Sequence, residues 1–154
     1  MHMTDLLDQS AIRLAGPVTS KKRLFLVIGD IVKGTYDLCA EDAVDALNER
    51  ESLGPTAVGR GVALPHARIE GLDRVVASFV RLEKPLDFDA ADRQGVDLVM
   101  AIFAPTNAGA EHLKALALAS RTFRDADVCA KLRSNDDPAT LHAILSSVPV
   151  SKAA

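Results

Sequence analysis

The stretch VDLVMAIFA at residues 96–104 constrains this chain most. It is apolar at every position but Asp97 and rich in β-branched and long aliphatic side chains. A strand with that pattern has no polar face to give to water, so it predicts a central strand covered on both sides. The longest wholly apolar part, residues 98–105, is far short of the ~20 residues needed to cross a bilayer, so the cover has to come from the protein itself.

The flanking sequence supplies helices for that purpose. After a turn at Gly16-Pro17, Thr19 or Ser20 is placed to cap a first helix. Leu24, Val27, Ile28 and Ile31 then recur at helical spacing until Lys33-Gly34, a cation followed by a stop signal. In a second helix Ala40, Ala43, Val44 and Leu47 share a face, with Glu41, Asp42, Asp45 and Glu49 elsewhere on it. Leu53-Gly54-Pro55 ends it, because the residue before a proline resists helical angles. Two more apolar runs, 62–64 and 75–82, read as strands bounded by Gly, Pro and Asp. The helical period returns at Ala110, with Leu113, Leu116, Ala117, Ser120 and Phe123 on one face. A short helix with Val128, Cys129 and Leu132 follows, then one that starts at the Asp137-Pro138 cap and carries Leu141, Ile144 and Leu145. Helices, then strands, then helices predict an α/β or mixed α+β layer fold, a sheet covered by helices. At 154 residues the chain holds one such domain. Its expected limits are residues 19–148, with 1–18 as an N-terminal extension and 149–154 as a tail.

Charge and composition exclude several functions. With 18 Lys+Arg against 21 Asp+Glu the net charge is −3, and generic nucleic-acid binding lacks the basic surplus it needs. Asp5 and Asp8 stand where a signal peptide would be basic and then greasy, so the expectation is a cytoplasmic protein without membrane insertion. Cys39 and Cys129 form no CxxC pair for zinc or redox chemistry, and read as small buried hydrophobes.

Histidine is the side chain whose unperturbed pKa, ~6.5, lies closest to neutrality, and the chain has four. His2 sits at the terminus, and His142 beside Leu141 reads as a helix filler. His66 ends a short apolar strand, VALPH, where Pro65 forces the chain out of the ladder. Strand ends are where α/β proteins tend to place functional groups. His112 falls in the first turn of the helix from Ala110, where unpaired N–H groups accommodate an anion and favour a neutral imidazole. On the residues alone, a surface histidine and a capping-region histidine without any role remain open for both.

The stretch 51–67, ESLGPTAVGRGVALPHA, resembles the phosphorylation-site signature of enzyme IIA domains of the fructose/mannitol type, from the bacterial phosphoenolpyruvate-dependent phosphotransferase system. The match includes the acidic Glu51, Val58-Gly59, Val62-Ala63-Leu64, Pro65, His66 and the small residue after it. It extends upstream to Arg50 and downstream through PLDFDAADRQGVDL to His112-Leu113. The downstream wording is most similar to the stand-alone, nitrogen-regulatory branch. The resemblance implies a central mixed sheet flanked by helices on both faces. It also implies that His66 accepts a phosphoryl group from the phosphohistidine of an HPr-like carrier. His112 then stabilises that group without being phosphorylated, and Arg50 compensates its charge. Regulated target proteins are implied as further partners. Two alternatives stand beside this: a sugar-specific enzyme IIA that passes phosphate to an enzyme IIB, and a non-catalytic binding module switched by phosphorylation.

Those residue types suit the chemistry. A neutral imidazole nitrogen is a competent nucleophile and a good enough leaving group for reversible transfer. Phosphoryl transfer needs positioning and charge compensation more than bond-making by the protein, and arginine offers a planar, permanent fork for the oxygens. Transfer between imidazoles requires no metal or cofactor. Gly59-Arg60-Gly61 is a poor nucleotide loop, since a third glycine is missing and a strand follows. Asp87, Asp89 and Asp92 lack the glycine and terminal glutamate of a calcium loop and read as a solvated acidic turn. Lys21-Lys22-Arg23 reads as the polar first turn of a helix.

Overall fold

The computed structural model describes residues 1–147. Its elements run α1 (Met3–Leu6), β1 (Leu7–Ala15), α2 (Lys21–Tyr36), α3 (Ala40–Ser52), β2 (Ala57–Gly59), β3 (Val62–Ala63), β4 (His66–Ile69), β5 (Val76–Leu86), β6 (Val96–Pro105), α4 (Ala110–Arg124), α5 (Ala126–Arg133) and α6 (Pro138–Ser146). The strands make one mixed sheet in the order β1-β5-β6-β3-β2, with β4 a further partner of β6. β6 is buried at every residue except Asp97. Successive strand residues point to opposite faces, so this strand is covered on both, as its apolar run requires.

β6 pairs antiparallel with β5 on one side and parallel with both β3 and β4 on the other. Val62 faces Leu98 and His66 faces Ile102, the same offset of 36 residues. β3 and β4 are therefore one line of chain along β6, interrupted at Leu64-Pro65. Pro65 has no N–H to give, yet its carbonyl still accepts from Ile102 N at 2.9 Å, while Leu64 N turns aside to Thr56 O at 3.0 Å. His66 thus opens a strand rather than ending one, and stands at the break.

The expectation that residues 1–18 form an extension is corrected. β1 lies in the sheet, parallel to β5 from Leu7↔Ala77 to Ala15↔Leu82, and Met3 and Leu6 of α1 are in the core. A register shift between Leu7 and Ile12 leaves Asp8, Gln9 and Ser10 exposed in succession, which destroys the alternation a strand would display. The proposed tail, 149–154, lies outside the described residues.

Ser20 caps α2, its Oγ accepting from Arg23 N at 3.1 Å. The helix runs past Gly34 and stops at Asp37, which takes the left-handed conformation (φ 58°), one of the few non-glycine types that tolerates it. The extra turn carries Tyr36, whose hydroxyl reaches Ala77 O at 2.6 Å and accepts from Asp8 N at 3.0 Å. Gly29 lets α2 and α3 approach closely: a Cβ there would lie 2.8 Å from Val44 Cγ2 and 3.1 Å from Ala40 O.

α4 is rotated from its expected face. It buries His112, Ala115, Leu118, Ala119, Thr122 and Phe123 and leaves Leu113 67% exposed. Phe123 stacks on Phe79 of β5 with centroids 5.9 Å apart. The small residues on the inner side let the helix lie close to the sheet, and that outweighs the larger apolar area of Leu113.

Candidate functional site

Three elements bring their sequence-selected residues together. Arg50 comes from the last turn of α3, His66 from the break before β4, and His112 from the first turn of α4. With Ala46, Glu49, Ala67 and Arg68 they line one shallow hollow of about 340 Å³. The two imidazoles sit with centroids 5.8 Å apart and planes inclined at 55°.

His66 is half-buried, and its Nδ1 lies 2.9 Å from Leu64 O. A carbonyl oxygen only accepts, so this hydrogen bond exists when Nδ1 carries the proton. The neutral ring is then left with its lone pair on Nε2. His112 is only 7% exposed, and its Nδ1 has no hydrogen-bond partner. Burial, then the charges of His66 and Arg68, holds its pKa below the ordinary histidine value. That shift favours the neutral form expected at this helix start, with burial rather than the helix terminus as its leading cause. Arg50 Nη1 donates to Gly54 O at 3.0 Å, which keeps the guanidinium at the end of its helix.

Arg68 was not anticipated. It stands two residues after His66 on a strand, hence on the same face, and that spacing was the available signal. Its Nη1 donates to Thr106 O at 3.1 Å, tying β4 to the loop that leads into α4.

The weaker motifs have structural roles. Arg60 (φ 57°) and Gly61 (φ 79°) make the hairpin turn between β2 and β3, with Arg60 N bonded to Asp92 Oδ2 at 2.9 Å. Asp92 is held below the usual carboxylate range by the N–H groups of Arg60 and Gln94. Asp87 accepts from Asp89 N. No group of three or more His, Cys, Asp or Glu among the described residues is arranged to hold a metal ion. His142 bonds through Nε2 to Leu7 O at 2.8 Å and fastens α6 to β1. Cys129 is buried as expected, but Cys39 is exposed. No helix among the described residues is long and apolar enough to cross a membrane.

Two histidines and an arginine meeting on one hollow at a break in a mixed sheet define a protein class, and comparison with known families identifies it. Residues 5–148 match the profile described as "Phosphoenolpyruvate-dependent sugar phosphotransferase system, EIIA 2". The chain belongs to that family and is a phosphotransferase-system component. Within it, the chain is 39% identical over 156 aligned residues to a nitrogen regulatory protein from Bradyrhizobium diazoefficiens, covering 99% of this chain and 100% of the relative. It is 31% identical over 147 residues to the nitrogen regulatory protein of Escherichia coli K12, covering 95% and 90%. The crystal structure of nitrogen regulatory protein IIA-Ntr from Neisseria meningitidis superposes with a TM-score of 0.84 at 34% identity, covering 92% of this chain and 97% of that one. The IIA mannitol structure from Escherichia coli shares the fold, with a TM-score of 0.74 at 23% identity and coverage of 90% and 97%.

Proposed function

We propose that this protein is a histidine phosphocarrier of the regulatory, nitrogen-type branch, which takes a phosphoryl group on His66 Nε2 from the phosphohistidine of an HPr-like carrier in the cytoplasm. The observation that carries the reading is the meeting of Arg50, His66 and His112 on one open hollow with Nδ1 of His66 already engaged. In the transfer the Nε2 lone pair forms the new N–P bond as the donor's N–P bond breaks, and the donor imidazole leaves with that electron pair. Nδ1–H stays on Leu64 O throughout, so the carbonyl stabilises the positive charge the phosphorylated ring acquires. Arg50 compensates charge on the equatorial oxygens. His112, whose burial favours the neutral ring, lies close enough to offer a ring N–H and is too buried to compete as a nucleophile. No triphosphate has to be neutralised, so the chemistry calls for no metal or cofactor.

The relatives' names support the regulatory branch over sugar transport. Phosphorylation adds roughly 1.5–2 negative charges at the hollow, enough to change which target proteins dock there. The test is incubation with phosphoenolpyruvate, enzyme I and the carrier. The expected product is acid-labile, alkali-stable phosphate on this chain, absent from His66→Ala. Label persisting on His66→Ala refutes the assignment.

A further inference from the structure

We propose that Glu51 is a positioning residue for transfer at His66: a buried carboxylate that fixes the acceptor ring's hydrogen bond by tying Thr56 back to the end of α3. The inference rests on the phosphocarrier reading above and extends it to a residue outside the hollow.

The Glu51 side chain is only 7% exposed. A carboxylate that deep is costly unless its oxygens are met by donors, and three meet it. Oε1 accepts from Thr56 Oγ1 at 2.6 Å, and Oε2 accepts from Thr56 N at 3.1 Å and from Lys21 Nζ at 2.9 Å. Lys21 comes from the first turn of α2 and is itself held over the Phe88 ring, 4.9 Å from its centroid, with Asp89 at 3.6 Å. The carboxylate therefore joins α2, the end of α3 and the residue that leads into β2.

From Thr56 the connection continues to the acceptor. Thr56 O accepts from Leu64 N at 3.0 Å, and Leu64 O accepts from His66 Nδ1 at 2.9 Å. Each link fixes the next. Glu51 holds Thr56 by both its N–H and its hydroxyl, Thr56 orients the Leu64 peptide, and that peptide determines which ring nitrogen of His66 bears the proton. Pro65 makes the dependence stronger, since this stretch has one ladder donor fewer to hold it in place.

The second arm is shorter. Glu51 follows Arg50 in the chain, and its carbonyl accepts from Gly54 N at 3.2 Å, while Arg50 Nη1 reaches Gly54 O at 3.0 Å. That turn is closed by the main chain, which any residue at 51 would supply; the carboxylate acts on it only by tying Thr56 back to the end of α3. A glutamine cannot replace the carboxylate, because its single oxygen cannot serve three donors and its amide would point N–H at Lys21 or Thr56.

The test uses the whole chain with ¹⁵N-labelled histidine. In the wild type the neutral His66 ring is expected as the Nδ1–H tautomer. In Glu51→Gln it is expected as a mixture of tautomers, with kcat for acceptance from the phosphorylated carrier down about 10-fold or more and KM within about twofold. Thr56→Val, which replaces the hydroxyl with a methyl group and keeps the main-chain N–H, moves both readouts in the same direction and decides the matter should Glu51→Gln fail to fold. A variant that melts lower but keeps the wild-type tautomer and kcat makes Glu51 a structural ion-pair partner only and overturns the proposal. A wild type that takes no phosphate at His66 defeats the phosphocarrier reading instead, and the tautomer still decides the role of Glu51.

Discussion

Gly61→Ala measures how firmly the hairpin ahead of His66 is locked to the rest of the molecule, and Gly71→Ala is its internal control. Both glycines have left-handed backbone, φ +79° and +83°, so each alanine incurs about 1–2 kcal/mol of backbone strain. A Cβ at Gly71 meets nothing within 4 Å, whereas one at Gly61 would lie 2.6 Å from Arg133 Nη2 and 3.0 Å from Asp97 Oδ1. Arg133 cannot swing away freely. Its Nη2 donates to Arg60 O and to Asp97 Oδ1, each at 2.9 Å, and its Nε donates to Asp97 Oδ2 at 2.9 Å. Displacing it loses a hydrogen bond worth about 0.5–1.5 kcal/mol. It also weakens an ion pair whose side chains are 38% and 21% exposed, to be discounted to about 0.5 kcal/mol. Gly61→Ala is thus expected to cost about 1–2 kcal/mol more than Gly71→Ala. The assay is urea unfolding, read as a lower midpoint at unchanged slope. In an Arg133→Ala background the excess disappears, because the obstructing guanidinium is gone. Equal destabilisation by the two alanines, or an excess that survives in Arg133→Ala, refutes the account.

Two further outcomes follow from the site. The folded-state pKa of His112 is depressed by burial, so below the ordinary histidine value of ~6.5 the unfolded chain binds a proton that the folded one refuses. Stability is lost as pH falls through that window, and the stability gap between wild type and His112→Gln narrows over it in urea titrations; a gap independent of pH contradicts the burial argument. Arg50→Lys keeps the charge but loses the fork, and single-turnover transfer from the phosphorylated carrier is expected to slow about 100-fold with little change in melting temperature. A rate within twofold of wild type removes Arg50 from the reaction.

What could be read in advance follows a physical division. β6 was legible because burial on both faces writes itself into consecutive residues, and α2 and α3 because an apolar stripe on a partly wet helix has a period. β1 was not, since its bulge places Asp8, Gln9 and Ser10 where alternation should be. The buried face of α4 is not the one its large residues mark, because close packing on a sheet favours Ala115 and Ala119 over the larger Leu113. The hairpin at Arg60 escaped notice because arginine rarely takes φ > 0, and this one is held there by Asp92 and Arg133 from distant parts of the chain.

The same division runs through the site. His66, His112 and Arg50 were recognisable as a motif, but their meeting depends on a fact no motif contains: β4 lies parallel on β6, and α4 starts directly after β6. His66 opposite Ile102 and His112 beyond Pro105 are therefore carried toward each other by one strand. Glu51 and Arg68 lay inside or beside that motif without announcing what they do. A carboxylate on an acidic helix looks solvated until Lys21, thirty positions away, is found on it, and a strand arginine looks free until its guanidinium is traced to Thr106 O. Local pattern reports which residues can do chemistry. Which charges hold them in place is set by long-range pairing, so the second kind of residue becomes visible only in three dimensions.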